Sequence, residues 1–477
     1  MFIGRKYELK FLNERYTSNQ AELIVLYGRR RVGKTELLTE FCKGKKHVFY
    51  TCNEYTNAKQ LKEFSNKLLP TNPSVATLFK QFQDWDSAFT FLGEYDSSEK
   101  MIVVIDEFPY MFKGDPSIPS VIQNLWDHNL KNKNIMLILS GSSMSFIENE
   151  ILGYKNPLYG RTTAIYKLEP MPYFDAVKFF PNYSNEDKVI AYSILGGIPH
   201  YLRQFDSNVS LEQNIKTKLL QKSAQLYDEA DFLLHQELRE PAVYITIIEA
   251  IALGCNKYSE IAEKSNIESA KLSTYLKNLL ELGIIIKQLS ALSKTKDNIK
   301  KNQGEYVLAD DFFRFYYTYV YPHKAELDTN NVELVWKHCI KNDLHHFASR
   351  SFEKICIRYL YLLAGQEKLP AFFTSFSRWW GKVTKRDKGG KLQTGSDEID
   401  IVGADTQCKN YLIGECKFTN EPFDLGQLNK LREKIFFEGN IYIYLFSLNG
   451  FTEAVKAEAE GQSNTYLFDL DDIFTVV

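Results

Sequence analysis

The stretch LIVLYGRRRVGKTELL, residues 23–38, places an apolar run directly before a glycine-rich loop and a helical pattern. The loop has the form GxxxxGK[ST], and a strand, such a loop and a helix N-terminus together bind the phosphates of a nucleotide. The lysine reaches the β/γ oxygens and the hydroxyl holds Mg²⁺. The stretch therefore predicts an α/β fold with a parallel sheet and a site for ATP and Mg²⁺. The predicted nucleotide contacts are Gly28, Arg29, Arg30, Arg31, Val32, Gly33, Lys34, Thr35 and Glu36.

Two further apolar runs end in polar residues of the kind that such a site needs. MIVVIDEF (101–108) predicts a buried parallel strand with Asp106 and Glu107 at its carboxyl end, where ligands bind in open α/β sheets. We expect Asp106 to hold Mg²⁺ together with Thr35, and Glu107 to polarise the attacking water. The alternative is a pair of solvated loop carboxylates. In IMLILSGSS (135–143) we choose Ser142 over Ser140 as the γ-phosphate sensor, although serine at a strand end is also common in turns.

Length and composition limit the classes of protein to consider. A chain of 477 residues predicts two to four domains, and no apolar run reaches the ~18 residues of a membrane span. The net charge of −2 means that any nucleic-acid contact must depend on local basic patches. Seven scattered cysteines without metal-ligand spacing, and no signal peptide at the N-terminus, favour reduced thiols in a cytoplasmic protein.

The order of six motifs resembles one group of nucleotide-binding proteins. These motifs are FIGRKYEL (2–9), GRRRVGKT (28–35), VVIDEFPY (103–110), LSGSS (139–143), LYGRT (158–162) and GGIPHYL (196–202). Together they are similar to the archaeal-type ATPases of the AAA+/STAND assemblage over about residues 1–320. The resemblance implies that Gly4 and Arg5 lie near the adenine, that Arg161 is an arginine finger or sensor, and that Pro199 contacts the base region. A capping role for Arg161 and plain turn chemistry for GGIP are the alternatives. Such ATPases commonly assemble, so a homo-oligomer and protein partners are further expectations.

The middle of the chain has the pattern of a winged helix. Three helical patterns between 242 and 283 precede a polar, lysine-rich segment, 287–301. The third helix has Lys271, Ser273, Thr274 and Lys277 away from its leucine face, as a recognition helix would. The wing carries Lys287, Lys294, Lys296, Lys300 and Lys301 against Asp297. The winged helix either contacts the phosphates of a nucleic acid, with DNA favoured over RNA, or serves as an internal packing module.

Charged residues recur inside apolar runs near the C-terminus. Glu353 lies in a helical pattern, Asp400 in the run IDIV, and Glu415 and Lys417 in the run YLIGECK. In a hairpin with period-2 alternation, Glu415 and Lys417 share a face, and Asp400 on the neighbouring strand can point toward Glu415. Buried carboxylates placed together need a cation, and hard oxygen ligands suit Mg²⁺ or Mn²⁺. We therefore predict a metal held by Asp400 and Glu415, with Lys417 orienting or deprotonating the nucleophile or stabilising the transition state.

This second set of residues resembles the PD-(D/E)XK, or restriction-endonuclease-like, nuclease superfamily over about residues 345–477. Glu353, Asp400, Glu415 and Lys417 match its helix acid, strand acid and E-x-K positions, and Gln427 lies on the helix that often supplies a glutamine. Ile399 stands where the motif has proline. A salt-bridged hairpin and an inactive nuclease fold are the alternatives. The segment 378–391 supports nucleic-acid contact, because it combines basic residues with Trp379 and Trp380. Its charged residues are Arg378, Lys382, Lys385, Arg386, Asp387, Lys388 and Lys391.

The combined prediction is an α/β P-loop NTPase parallel sheet in 1–205, an all-α lid and winged helix in 206–320, a linker in 321–345, and an α/β restriction-endonuclease-like domain in 346–477. The function predicted from it is an ATPase whose nucleotide state controls a metal-dependent nuclease. The nuclease acts on nucleic acid, with DNA favoured over RNA as the substrate. The alternatives are an ATP-dependent DNA-binding regulator and a nucleotide switch, each with an inactive nuclease-like tail.

Overall fold

The computed structural model describes residues 2–94, 98–292, 304–386 and 392–475. The chain divides into two compact units. The N-terminal unit consists of Met1–Ala176 with Gly197–His200, and the C-terminal unit consists of Val177–Gly196 with Tyr201–Val477. The winged-helix pattern and the predicted C-terminal domain thus fall within one compact unit, and the predicted boundary between them stays a prediction.

A five-stranded parallel sheet forms the centre of the N-terminal unit. Its strand order is β2-β3-β4-β1-β5. Its strands are β1 (Glu22–Tyr27), β2 (His47–Thr51), β3 (Met101–Asp106), β4 (Ile135–Gly141) and β5 (Ala164–Lys167). Its helices are α1 (Lys6–Thr17), α2 (Lys34–Cys42), α3 (Asn57–Leu68), α4 (Pro73–Ala76), α5 (Trp85–Gly93), α6 (Phe108–Gly114), α7 (Ile118–His128), α8 (Met144–Phe146) and α9 (Tyr173–Ala176). Every residue of β1, β3 and β4 is buried, as expected for central strands covered on both faces. The parallel sheet predicted from the three apolar runs is confirmed.

The helices of the rest of the chain surround two further sheets. They are α10 (Asn185–Leu195), α11 (Pro199–Leu202), α12 (Leu211–Ile215), α13 (Glu229–Glu237), α14 (Pro241–Ala252), α15 (Tyr258–Ser265), α16 (Ser269–Glu281), α17 (Asp311–Phe315), α18 (Lys324–Asp328), α19 (Val332–Val335), α20 (Leu344–Gly365), α21 (Leu425–Lys434), α22 (Glu453–Glu460) and α23 (Leu470–Thr475). The strands are β6 (Ile285–Gln288), β7 (Glu305–Leu308), β8 (Phe376–Arg386), β9 (Leu392–Ala404), β10 (Asn410–Lys417), β11 (Asn440–Ser447) and β12 (Thr465–Asp469).

The winged-helix pattern corresponds to α14, α15, α16 and the antiparallel pair β6–β7. On α16 the side chains of Leu272, Leu276 and Leu279 are buried, as the leucine face predicted. The nitrogen of Lys287 lies 5.4 Å from the centroid of the Tyr306 ring across the pair. The remaining charged residues of the predicted wing, from Lys294 to Lys301, lie outside the described residues.

The C-terminal sheet is mixed, with the order β12-β11-β10-β9-β8. Strands β10, β11 and β12 run parallel, and β9 is antiparallel to β10 and to β8. The ladder between β9 and β10 ends at Ile401 and Gly414, whereas β9 and β8 stay paired out to Leu392 and Arg386. The hairpin of β8 and β9 therefore extends past β10, and Asp400 is the first residue beyond the point where β9 leaves β10.

The segment 321–345, predicted as a linker, is helical in the structure. Short turns of 3₁₀ and π type join α18 to the helix before it and α19 to α20. Leu327, Val335, Trp336 and Ile340 are buried there. The polar stretch after residue 321 alternates with these apolar positions, which need a core to cover them, and the role of the segment as a linker stays a prediction.

The wing strand β6 leads into the edge of the C-terminal sheet. The Ser290 hydroxyl donates to the Trp380 carbonyl at 2.8 Å and accepts from the Trp380 N–H at 2.9 Å. The Ala291 N–H donates to the Arg378 carbonyl at 2.8 Å, and Ala291 packs in the core of the C-terminal sheet. Residues 290 and 291 thus cover part of the outer edge of β8, where unpaired backbone groups would otherwise be exposed.

Candidate nucleotide-binding and metal-binding sites

The glycine-rich loop between β1 and α2 has the conformation that its glycines allow. Gly33, directly before α2, has φ 94°, and a Cβ at Gly28 would lie 2.4 Å from the Leu168 carbonyl oxygen. Neither position accommodates a larger residue without strain. The Lys34 ammonium donates to the carbonyls of Gly28 at 2.8 Å and Arg29 at 3.1 Å, so the lysine lies along the loop. The predicted loop and helix start are thus both present.

The two predicted Mg²⁺ ligands lie next to each other. The Thr35 hydroxyl donates to Asp106 Oδ2 at 2.7 Å, from the first turn of α2 to the carboxyl end of β3. Asp106 is fully buried. A hydroxyl and a carboxylate facing one point are hard oxygen donors, which suit Mg²⁺. The residues therefore fit the predicted ion.

Glu107 and Ser142 are bonded to each other. The Ser142 hydroxyl donates to Glu107 Oε2 at 2.8 Å, and the Ser142 N–H donates to the same oxygen at 3.3 Å. Glu107 has φ 52°, a left-handed conformation that a non-glycine residue adopts at a cost. Ser140, the alternative sensor, is fully buried within β4. The geometry favours Ser142, since its hydroxyl is the one beside the predicted water-polarising carboxylate.

The motif at the N-terminus supports the phosphate loop through a side chain. The buried Arg5 guanidinium donates to the carbonyls of Val32 at 2.9 Å and Glu169 at 2.8 Å, and pairs with Glu8 at 2.8 Å. Gly4 has φ 69° beside it. The contact of Gly4 and Arg5 with the adenine stays a prediction, but the Arg5 side chain itself is bonded to the phosphate loop and its surroundings.

Pro199 also lies at the loop. A Cβ at Gly33 would be 3.6 Å from Pro199 Cγ, which is ordinary contact distance. The Gly197 carbonyl accepts from the Met171 N–H at 2.7 Å. The GGIP segment is thus packed against the end of the phosphate loop, while its contact with a base stays a prediction.

Arg161 is paired with a neighbouring acid. Its guanidinium donates to Asp127 Oδ2 at 2.9 Å and to the Pro157 carbonyl at 3.0 Å. Asp127 lies on α7, and both side chains are partly exposed. This geometry agrees with the capping alternative in the single chain, and the role as a finger stays a prediction.

A cluster of charged side chains forms where β9 leaves β10. Glu353 comes from α20, Asp400 from β9, and Glu415 and Lys417 from β10. Asp400 Oδ2 accepts from the Cys416 N–H at 2.9 Å and so replaces the ladder bond that the departing strand no longer supplies. Lys417 Nζ pairs with Glu415 Oε1 at 2.7 Å. We call these four residues the acidic centre.

The carboxylates of the acidic centre oppose each other's ionisation. Burial, and next the charge of Asp400, raise the pKa of Glu353 to about 8. Burial and the charge of Glu415 raise the pKa of Asp400 to about 6. Burial alone would lower the pKa of Lys417, but the attraction of Glu415 raises it. Three carboxylates with one lysine among them therefore favour either a retained proton or a bound cation at the centre.

One oxygen of the centre has no hydrogen-bond partner. Glu415 is 7% exposed, and its Oε2 atom is buried without a hydrogen bond to the described residues. Lys434 Nζ on α21 lies 4.0 Å from it. Across the described ranges no group of three or more His, Cys, Asp or Glu side chains forms a ready metal site. The carboxylates of Asp400 and Glu415 fit Mg²⁺ or Mn²⁺ nevertheless, because such ions usually keep several waters and need only one or two protein carboxylates.

Gln427 caps the start of α21, and its predicted place in the nuclease centre stays a prediction. Its side-chain oxygen accepts from the Asp424 N–H at 2.9 Å, and its N–H donates to Asp424 at 2.8 Å, which forms a capping box at the start of α21. The α21 residue near Glu415 is instead Lys434. Sequence reasoning missed it, although its spacing of seven residues from Gln427 returns to the same helix face.

The recognition helix offers less free positive charge than predicted. Lys271 pairs with Glu268 at 3.4 Å and Lys277 with Glu281 at 3.6 Å along α16. A cleft of about 480 Å³ beside the helix is lined by Lys271, Thr274 and Tyr275 but also by Glu237 and Glu240. The intrahelical pairs were not weighed in the sequence reasoning, and they reduce the attraction to phosphates.

The aromatic pair on β8 is partly used in packing. Trp379 contacts Phe436, with ring centroids 4.8 Å apart, and packs on the core of the sheet. The Arg378 guanidinium lies 5.9 Å from the Trp380 ring centroid and pairs with Glu398. Lys382 is exposed. The side chains of Lys385, Arg386, Asp387, Lys388 and Lys391 lie outside the described residues.

Comparison with known proteins agrees with the nucleotide site. Residues 2–205 match an ATPase domain predominantly from Archaea, and residues 316–433 match a domain of archaeal and bacterial proteins of unknown function. An uncharacterized protein of Methanocaldococcus jannaschii is 31% identical over 477 residues, which cover 99% of this chain and all of that protein. The chain belongs to this archaeal ATPase family. It is a P-loop NTPase that binds and hydrolyses ATP.

Shorter and more distant similarities accompany this match. An uncharacterized ATP-binding protein of the same organism is 56% identical over 46 residues, 10% of this chain and 78% of that protein. Among solved structures, the Walker-type ATPase of Pyrococcus abyssi is 22% identical with a TM-score of 0.49, covering 66% of this chain and 96% of that one. The ORC2 protein of Aeropyrum pernix is 12% identical with a TM-score of 0.41, covering 69% and 94%.

No helix in the described part of the chain is both long and apolar enough to cross a bilayer.

Proposed function

We propose that this ATPase carries a divalent-metal-dependent nuclease centre, formed by Glu353, Asp400, Glu415 and Lys417, whose activity on nucleic acid the nucleotide state controls. The observation that carries the proposal is the convergence of three acids and a lysine from α20, β9 and β10 at the point where β9 leaves β10. The resemblance of these four positions to the PD-(D/E)XK pattern supports it.

The charge balance of the acidic centre supports a cation there. Burial and the charge of Glu415 raise the pKa of Asp400, and Glu415 Oε2 lacks a hydrogen bond within the described residues. Mg²⁺ or Mn²⁺ held by these two carboxylates would supply activation of water and neutralisation of charge on a phosphate. Without such an ion, buried carboxylates of this kind retain protons at a pH where free ones are ionised.

The chain's own residues suggest separate tasks. Asp400 is oriented by the Cys416 N–H, and Glu415 holds the Lys417 ammonium at 2.7 Å. An ammonium in this position is suited to orient the attacking water or to stabilise negative charge on the phosphate. Glu353, whose pKa is raised to about 8, is suited to keep or give up a proton near neutral pH.

At the nucleotide site, we propose that Thr35 and Asp106 hold Mg²⁺ and that Glu107 orients the attacking water. Glu107 accepts from Ser142 through Oε2, and its second oxygen can orient the water while that bond is kept. If the Ser142 hydroxyl turns to the γ-phosphate instead, the presence of ATP changes the position of Glu107.

The test uses the full chain with labelled duplex DNA, single-stranded DNA and RNA, each with Mg²⁺ or Mn²⁺ and with or without ATP. Asp400→Asn and Glu415→Gln should abolish cleavage and leave ATP hydrolysis intact. Asp405→Asn is the matched control, because Asp405 is at the other end of the same strand pair and bonds only to the turn that follows β9. It should cleave as the unchanged chain does.

The opposite outcome favours the second candidate. If no nucleic acid is cut under any of these conditions while ATP is hydrolysed, the nuclease proposal is wrong, and the chain is an ATPase with an inactive nuclease-like tail. Lys34→Met should abolish nucleotide binding in either case, because no other cation replaces its contact with the β/γ oxygens.

A further inference from the structure

Arg350 lies one turn before Glu353 on α20 and has no partner in the described part of the chain. Its guanidinium is half-buried, and it makes neither a hydrogen bond nor an ion pair with the described residues. A guanidinium has five donors and keeps its charge, so a half-buried one without a bonded anion is costly. The position therefore differs from that of an ordinary surface arginine, which water solvates fully.

The charged groups that face Arg350 include three acids, none of which forms an ion pair with it among the described residues. They are Asp311 on α17, Glu305 on β7, Glu353 on its own helix and Arg378 on β8. The Asp311 carboxylate already bonds Lys354 at 3.2 Å and Arg314 at 3.4 Å.

Arg378 adds a second guanidinium to the same place. It faces Glu353 as well as Arg350, and its own bonded partner is the exposed Glu398. Two guanidinium groups near each other repel unless an anion lies between them. Glu398 is exposed on β9, so an incoming anion can share Arg378 with it or replace it.

The position of the two arginines limits which anion fits. Both face Glu353, and Glu353 faces Asp400 of the acidic centre. Guanidinium groups bind phosphate oxygens through paired, charge-assisted hydrogen bonds, which suits a phosphodiester. A backbone phosphate held there would place the strand beside the acidic centre.

We propose that Arg350 and Arg378 form a binding site for a backbone phosphate of the nucleic-acid strand that enters the acidic centre. This inference rests on the proposed nuclease function, because it names how that site holds its substrate. Arg350 acts by binding and positioning the strand.

The test separates binding from cleavage. Binding of a fluorescein-labelled DNA, single-stranded and duplex, to the full chain is measured by anisotropy in EDTA, where no metal-dependent cleavage occurs. Arg350→Ala should weaken binding about tenfold, and the slope of log affinity against log salt should fall by about 0.7 to 0.9, the value for one lost phosphate contact. Arg350→Lys should keep the slope and regain part of the affinity, because it keeps the charge but not the paired donors.

Arg358→Ala is the matched control, since Arg358 is exposed two turns further along the same helix. It should bind with unchanged affinity and slope, and retained ATP hydrolysis in all three variants excludes global misfolding. If Arg350→Ala binds like the control, or if the unchanged chain binds no DNA, the phosphate site is wrong. Weaker binding by Arg350→Ala in a chain that never cleaves supports the phosphate site and refutes the nuclease function. If the unchanged chain cleaves and Arg350→Ala alters neither DNA binding nor the rate of cleavage, the phosphate site is refuted and the nuclease function stands.

Discussion

Replacing Asp400 with asparagine should stabilise the C-terminal unit near neutral pH in the absence of divalent ions. Burial and the charge of Glu415 raise the pKa of Asp400 from 3.8 to about 6. The folded state therefore holds the proton more tightly than the unfolded chain does. The stability that this proton provides is fully present below pH 3.8 and is lost as the pH rises through about 6. Asparagine is neutral throughout and can still accept the Cys416 N–H.

The expected gain in stability follows from the pKa shift of Asp400. Two pKa units at about 1.4 kcal/mol each amount to about 3 kcal/mol at a pH above both values. For a unit of about 300 residues, about 1.6 °C in Tm accompanies each kcal/mol, so the variant should melt about 5 °C higher at about pH 7.5. The gap should close as the pH falls below about 4.

Thermal unfolding in EDTA, followed by tryptophan fluorescence over a range of pH, measures this difference. Saturating Mn²⁺ should then raise the Tm of the unchanged chain and leave that of Asp400→Asn unchanged, because the ion requires the carboxylate. Asp405→Asn is the control of opposite sign, since hydrogen bonds from Asn410 and the turn backbone lower the pKa of Asp405. A lower Tm for Asp400→Asn in EDTA at neutral pH would refute the reasoning, as it would mean that Lys417 and Lys434 more than compensate the carboxylate.

The nucleotide site leads to three further predictions. Glu107→Gln should keep ATP affinity and lower hydrolysis about 10²- to 10⁴-fold, whereas Ser142→Ala should change the hydrolysis rate without that loss; fluorescent-ATP binding and phosphate release measure the two. Arg5→Lys should weaken ATP binding about tenfold, because a single ammonium cannot bridge the three partners of the guanidinium, and unchanged affinity would contradict the supporting role. Arg161→Ala should lower hydrolysis more than Asp127→Asn if Arg161 acts on a phosphate; equal effects of the two variants in a steady-state assay would leave only the ion pair between them.

The nucleotide site was largely predictable because its signals are local. An apolar run before GxxxxGKT dictates a strand, a tight loop and a helix within a few residues of each other. Asp106 lies far from Thr35 in sequence, but the rule that ligands bind at the carboxyl ends of parallel strands brings them together. The observed bond of 2.7 Å between them follows from that rule.

The acidic centre was predictable only in part. Period-2 alternation placed Glu415 and Lys417 on one face, and their 2.7 Å pair agrees with it. The sequence did not show that the ladder between β9 and β10 ends at Ile401, which lets the Asp400 carboxylate take the place of a backbone acceptor. Gln427, three residues after Asp424, also satisfies a capping box, so its place in the centre stays a prediction.

The sequence by itself determined the elements whose information is contiguous: the strands with continuous apolar runs, the phosphate loop, the three helices of the winged helix and the helix that carries Glu353. Only the tertiary structure decided which charges face each other across elements. It brought Lys434 to Glu415 and Arg350 to Arg378, and it joined residues 290 and 291 to the edge of β8. The reason is physical: a helix or strand depends mainly on residues within a few positions, whereas the energy of a charge depends on every neighbour that packing places around it.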